Sequence, residues 1–142
     1  MQRKYLILIL AIIIISVVVP LVLVIPSVLP QSYTSEITLE IPSDDWNHVG
    51  VTLDQGERWI VDFTSNGTVT ASLMTWDQFM YFYAYGSVGG CLQSISNTSG
   101  HFEFTQSLQQ SGEARNVVVV FQTSSAPLKI VVTTTEYRIG LL

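Results

Sequence analysis

Trp59-Ile-Val-Asp-Phe-Thr-Ser-Asn-Gly-Thr-Val-Thr-Ala-Ser-Leu73 is the stretch on which the fold turns. Trp59, Val61 and Phe63 alternate with Ile60, Asp62 and Thr64, and Val69, Ala71 and Leu73 alternate with Thr70 and Ser72. A period of two places one set on a buried face and the other in solvent, the mark of a half-buried strand. Asn66-Gly67 between them is the pair that type I′ turns demand. The spacing predicts two strands joined by a hairpin turn at Ser65–Thr68.

The same period extends outward in both directions. Ile37, Leu39 and Ile41 alternate, as do Val49, Val51 and Leu53. Phe102 and Phe104 flank Glu103, and Leu128, Ile130 and Val132 alternate with Lys129 and Val131. Val117–Phe121 is a continuous apolar run, as expected of a central strand covered on both faces. Asp54-Gln-Gly-Glu57 reads as a second hairpin turn, and Ser124-Ser-Ala-Pro127 separates the last two strands. The expected fold is all-β, an antiparallel, jelly-roll-like β-sandwich of about seven to eight strands. Hydroxyl side chains in place of charges on the polar face suit strands and an extracellular surface.

Upstream the pattern changes. Tyr5–Ile25 holds no charge and is broken only by Ser16 and Pro20. As a helix it would be about 31 Å long, the thickness of a hydrocarbon core. Arg3 and Lys4 precede it, and only acidic residues follow until Arg58. The positive-inside rule then places the N-terminus in the cytoplasm. The expected layout is a cytoplasmic N-terminus (1–4), a transmembrane signal anchor (5–25), a stalk (26–35) and an extracytoplasmic sandwich (36–142). The expected localisation is the cell membrane, single-pass, with the bilayer as partner of residues 5–25. A cleaved signal peptide is the competing reading, but its apolar region is shorter and ends in a small-x-small site. A type IV pilin-like filament subunit shares the layout. The short charged leader of those proteins is missing, and two prolines suit a packed filament helix poorly.

The chain has 142 residues, 48% of them hydrophobic and 12% charged, with a net charge of −5. Residues 31–142 carry four basic and eleven acidic side chains. A nucleic-acid binder needs a basic face, so nucleic acid is excluded as a partner. One long apolar run excludes a multi-pass transporter, and the wealth of β-branched and aromatic residues excludes a disordered chain.

Val51-Thr-Leu-Asp-Gln-Gly-Glu-Arg-Trp-Ile-Val-Asp-Phe-Thr-Ser65 reads strand, glycine turn, aromatic, alternating strand. It resembles the opening hairpin of Golgi-dynamics (GOLD) domains and of the similar pre-peptidase C-terminal domains. Val117–Phe121, Gln122-Thr-Ser-Ser125 and Leu128–Thr135 resemble their closing strands, so the likeness covers about residues 35–137. Two features differ: the membrane helix of Golgi-dynamics receptors is C-terminal, and Gln122 stands where their late turn has Asn. The layout resembles that of archaeal surface proteins. The resemblance implies a non-catalytic interaction domain and transfers no site residue.

Chemistry-bearing residues are sparse. Cys91 is the single cysteine, and His48 and His101 are the only histidines. A nucleophile needs a base within reach, and nothing in the sequence sets either histidine beside Cys91. The cluster Asp44, Asp45, Asn47 and His48 lacks the alternate-acid spacing of a calcium loop and reads as a solvated turn. No zinc spacing occurs, and Gly86-Ser-Val-Gly-Gly90 has no lysine and precedes no helix, so it is no phosphate loop. No cofactor, metal or catalytic residue is expected. The sequons Asn66-Gly-Thr68 and Asn97-Thr-Ser99 are glycosylation candidates; Asn97, in an expected long loop over 85–100, is the better acceptor. Trp76, Phe79, Met80 and Tyr83 fall at i, i+3, i+4 and i+7 and predict a short helix with that face inward. Tyr81, Phe82 and Tyr85 then lie outward, an expected interaction patch for a protein, a glycan or the membrane surface. The expected function is that of a membrane-anchored extracytoplasmic binding module, not an enzyme, the alternative being the filament subunit.

Overall fold

The computed structural model describes residues 5, 7, 9, 11–16, 30–106, 115–123 and 127–139. Contacts divide the chain into two units, the larger being Ser32–Arg138. In the smaller unit the described residues between Tyr5 and Ser16 are helical. Ser16 Oγ donates to the Ile13 carbonyl at 2.9 Å, so its hydroxyl is satisfied within the helix. Ile12, Ile13, Ile14 and Ile15 are each more than half exposed. No helix among the described residues is long and apolar enough to cross a membrane. The other positions of the expected 5–25 span, and Arg3 and Lys4, lie outside the described residues.

The larger unit is all-β and antiparallel. Its strands are β1 (Pro30–Ile41), β2 (Trp46–Leu53), β3 (Arg58–Thr75), β4 (Gln93–Thr105), β5 (Arg115–Gln122) and β6 (Leu128–Ile139), with one helix, α1 (Trp76–Tyr85), between β3 and β4. They form a single sheet in the order β1-β6-β3-β5-β2, with β4 on the other edge of β3. The eighteen residues of β3 organise it. Its first half, Arg58–Ser65, pairs with β6; its second half, Thr70–Thr75, pairs with β5. β4 runs beside both halves. The sheet therefore curls around β3 into two flanks that share one core.

That core joins the inward residues of all six strands, among them Ile41, Leu53, Trp59, Phe63, Phe102, Phe121 and Ile130. The alternation read from the sequence is the burial pattern of β2, the first half of β3 and the start of β6. Val118 and Val120 point the other way and are covered by α1 together with Met74. This explains the unbroken apolar run of β5: one face meets the core and the other meets the helix.

Four expectations are corrected. Asn66-Gly67 is not a hairpin turn; it lies inside β3, so the expected pair of strands is one strand and the described strands number six. A type I′ turn needs positive φ at both central residues, and among the described residues the positive-φ glycines are Gly56 and Gly86. The dipeptide marks the bend between flanks, where the β3–β4 register shifts between Thr64 and Val69. Asn66 Oδ1 accepts from Lys129 N at 3.0 Å, tying the bend to β6. A Cβ on Gly67 would lie 2.7 Å from Leu128 Cδ2, so the Leu128 side chain would have to shift to admit one. Asp54–Glu57 is a turn, with Gly56 at φ 80°, but it does not make a hairpin: β2 and β3 are not sheet neighbours. It is an arch that carries the chain from one flank to the other. Residues 30–35, expected as stalk, are the first half of β1, where Thr34 and Ser35 meet Thr135 and Thr134 through their hydroxyls. The expected loop over 85–100 is irregular only at 86–92, because Gln93–Gly100 pair along β3.

Every buried apolar side chain among the described residues lies between Ile41 and Val132. A fragment of residues 30–142 is therefore expected to fold alone, with a β-dominated circular dichroism spectrum. A mainly helical spectrum would refute this.

Among the described residues one buried side-chain group is unsatisfied. Gln106 is 1% exposed, and neither its Oε1 nor its Nε2 has a hydrogen-bond partner. Its backbone is locked against the arch: Gln106 N donates to the Glu57 carbonyl and Gly56 N to the Gln106 carbonyl, both at 2.9 Å. Glu57, also buried, accepts from Asp54 N at 2.9 Å. An orphaned buried amide costs about 1–3 kcal/mol. Gln106→Met, similar in volume and apolar, is expected to raise the denaturation midpoint of the fragment. A lowered midpoint would mean that the amide is satisfied in solution.

Candidate functional site

The site is built on α1 and the sheet face beneath it. The helix starts where Thr75 caps it. Thr75 Oγ1 accepts from Gln78 N at 3.4 Å, and Gln78 Oε1 accepts from Thr75 N at 3.0 Å. This reciprocal box satisfies two backbone donors that the first turn leaves open. The helix ends at Gly86, whose φ of 68° is left-handed and whose N–H donates to the Phe82 carbonyl at 2.8 Å. Both ends are fixed, so the ring positions between them are fixed too.

The buried face differs from the expected one. Phe79 and Phe82 point into the sheet at 5% and 1% exposure. Trp76, Met80 and Tyr83, expected inward, are each at least 45% exposed. The face is chosen by the sheet: Met74, Val118 and Val120 form a narrow apolar strip, and one i, i+3 pair fills it. Phe82 therefore leaves the expected patch. Tyr81 and Tyr85 stay in it, 48% and 71% exposed, with ring centroids 4.6 Å apart. Gly89 packs on Tyr81: a Cβ there would fall 2.5 Å from Tyr81 Cε1. Tyr81, Gly89, Gly90, Asp77 and Gln78 line an open depression of about 450 Å³.

The opposite flank of α1 carries the denser cluster. Trp46 of β2 meets Phe79, Phe82 and Tyr83 edge-on, at centroid distances of 6.0, 5.2 and 6.1 Å. His48 lies between Trp46 at 5.7 Å and Phe79 at 5.0 Å. Trp76 follows, 5.5 Å from Phe79. Offset and edge-on ring pairs of this kind add to the area they bury. Beside them a trough of about 320 Å³ runs along the outer face of β2, lined by His48, Gly50, Thr52, Trp76 and Asn116. Gly50 leaves its floor open; a Cβ there would lie 3.3 Å from the Val117 carbonyl oxygen. Thr52 Oγ1 donates to Asn116 Oδ1 at 2.6 Å across the β2–β5 pair.

The remaining sequence candidates are placed as follows. Neither sequon asparagine is in a loop. Asn66 is spent on Lys129 in the β3 bend, whereas Asn97 sits opposite Val69 in β4 with Oδ1 accepting from Thr98 N at 2.8 Å. Both are exposed. Asp45 Oδ1 accepts from Trp46 N and Asn47 Oδ1 from His48 N, each at 2.8 Å, so this acidic stretch caps its own turn. Asp44 supplies the turn's left-handed residue, at φ 55°. No group of three metal-ligating side chains comes together among the described residues. Cys91 is a free thiol packed partly against the α1 cluster. His101 Nδ1 instead meets Asp62 Oδ1 at 2.6 Å across β3 and β4, both side chains more than half exposed. Sequence reasoning missed His48, Gly50 and Asn116. The signal was the outward set His48, Gly50, Thr52 of β2, three positions that alternate with Val49 and Val51.

No protein-family model and no curated protein matches the chain. Among solved structures, the fold is similar to that of Aeromonas hydrophila PliG, a periplasmic lysozyme inhibitor of g-type lysozyme. The TM-score is 0.51 at 6% identity, over 74% of this chain and 87% of that one. Yersinia pseudotuberculosis-derived mitogen matches with TM-score 0.49 and 14% identity, over 75% and 86%. A pilus protein of Bacillus endospore appendages matches with 0.46 and 12%, over 78% and 91%. The likeness to PliG is one of fold. None of the three is a Golgi-dynamics or pre-peptidase C-terminal domain.

Proposed function

We propose that the chain is a single-pass, N-in membrane protein whose outer, jelly-roll-like β domain is a binding module. The observation that carries the anchor is the run Ile12–Ile15, helical and more than half exposed at all four positions. Four consecutive residues reach every side of a helix, and a helix apolar all round belongs in a core or a membrane. Burying each isoleucine in an apolar medium is favourable by about 1.5–3 kcal/mol. Arg3 and Lys4 on one side, and acids alone on the other until Arg58, favour the outward orientation of the β domain. The binding role is supported by the aromatic flank of α1, where Trp76 and Tyr83 remain exposed on a helix capped at both ends.

Protease added to sealed cells expressing the full chain is expected to digest residues 31–142 and to leave an N-terminal tag intact. Protection of the β domain would overturn the orientation. Mass spectrometry of the mature chain is expected to find Met1 or Gln2 at its start. A start near Tyr5 would favour a filament subunit instead, and a start beyond residue 25 a released domain.

A further inference from the structure

We propose that the trough beside α1 binds the ring of a neutral sugar, with Trp76 as its stacking wall and Asn116 as its polar anchor. The inference deepens the binding-module reading and rests on it. Its first support is shape. The trough is a shallow, open depression, and its volume of about 320 Å³ is at the lower end of small-ligand sites. Gly50 keeps the floor flat between His48 and Thr52, so a ring can lie against the backbone of β2.

The second support is the wall. Trp76 is 45% exposed although it is the first residue of a capped helix and touches Phe79 with its ring. A pyranose presents a face of C–H groups, which the electron-rich face of an indole attracts. The Thr75–Gln78 box fixes the backbone at the start of the helix, and the ring rests against Phe79 at 5.5 Å. Little side-chain freedom is then lost on binding, which favours affinity.

The third support is the polar set. The Thr52–Asn116 bond engages the oxygen end of the amide and leaves its nitrogen end, with two N–H donors, for a ligand. The imidazole of His48 lines the same trough. No Lys, Arg, Asp or Glu lines it. A phosphate or carboxylate ligand is recognised by charge-assisted bonds, and none is on offer. A ligand with one apolar face and a rim of uncharged hydroxyls matches the lining.

The test uses the full chain in nanodiscs and saturation-transfer difference NMR. The probes are glucose, galactose, mannose, N-acetylglucosamine and their dimers, with inorganic phosphate as the charged comparison. At least one sugar is expected to bind, with its ring protons nearest the protein. Trp76→Ala and Asn116→Ala should each weaken that binding tenfold or more. Trp76→Phe, which keeps a ring, should retain most of it, and Glu36→Ala in β1 should leave it unchanged. Binding of none of the sugars at concentrations up to about 10 mM, tenfold above a 1 mM dissociation constant, would overturn the inference. So would binding that survives both alanine variants, or a preference for phosphate. Protease digestion of the same chain in sealed cells separates the two readings. An accessible domain that binds no sugar sinks only this inference; a protected domain sinks the outward orientation of the binding module.

Discussion

Phe82→Ala is expected to destabilise the β domain by about 3–5 kcal/mol, the usual loss when a buried aromatic site is emptied. Phe82 is 1% exposed and packs with Met74, Val118 and Val120 beneath α1. Trp46 closes over it edge-on at 5.2 Å, so no mobile neighbour is at hand to refill the space. Tyr81, the next residue toward the N-terminus, is 48% exposed. Tyr81→Ala should change stability by well under about 1 kcal/mol, as surface substitutions do. Urea melts of the two variants in the 30–142 fragment decide the helix orientation. A costly Tyr81→Ala with a harmless Phe82→Ala would require α1 to be turned by about a third of a revolution.

Gly100→Val should cost about 1–3 kcal/mol, the range for forcing extra carbons into a filled core. Gly100 is paired with Phe63 across β3 and β4. A Cβ on it would lie 2.5 Å from Phe63 Cε1 and 2.7 Å from Cζ. The ring has no room to yield, because Phe102 stacks against it at 6.2 Å and Phe121 meets it edge-on at 5.3 Å. A glycine beneath a cross-strand aromatic ring is a recurrent pairing in sheets. Gly86→Ala tests a different glycine role, since nothing lies within 4 Å of a Cβ there and only the left-handed backbone resists it. Its loss should be near 1 kcal/mol. A smaller loss for Gly100→Val than for Gly86→Ala would show that packing at Phe63 is looser than the structure has it.

The strands of this domain were legible because alternation is a local property. Trp59, Val61, Phe63 and Leu128, Ile130, Val132 declare their buried face whatever they pair with. Partnership is not local. The Asn66-Gly67 dipeptide favours a hairpin, yet β4, β5 and β6 all hydrogen-bond to β3 on either side of it. Pairing along both edges outweighs one turn preference. The helix was legible from the spacing of its rings. Its orientation was not, because rings stand on nearly every side of α1 and no polar stripe marks the solvent. The unbroken run Val117–Phe121 did hold the answer in part: a strand apolar on both faces requires a second cover, and α1 is that cover. The trough was illegible because Thr52 and Asn116 lie far apart in the chain and meet only through the β2–β5 register.

The eighteen-residue β3 also sets the order in which the domain can be completed. A chain emerging from its N-terminus first offers β3 a single early partner, β4, across α1. The opposite edge of β3 is claimed only by β5 and β6, the last strands to appear. β1 and β2 also wait for the last two strands, since their partners are β6 and β5. Until then a long edge rich in Val, Phe and Thr stands unpaired, the kind of template to which other chains add themselves. Sequence-distant pairing of this sort also slows closure, toward milliseconds to seconds. Synthesis of this domain thus has a vulnerable interval, lasting until β6 has emerged and closed the first half of β3.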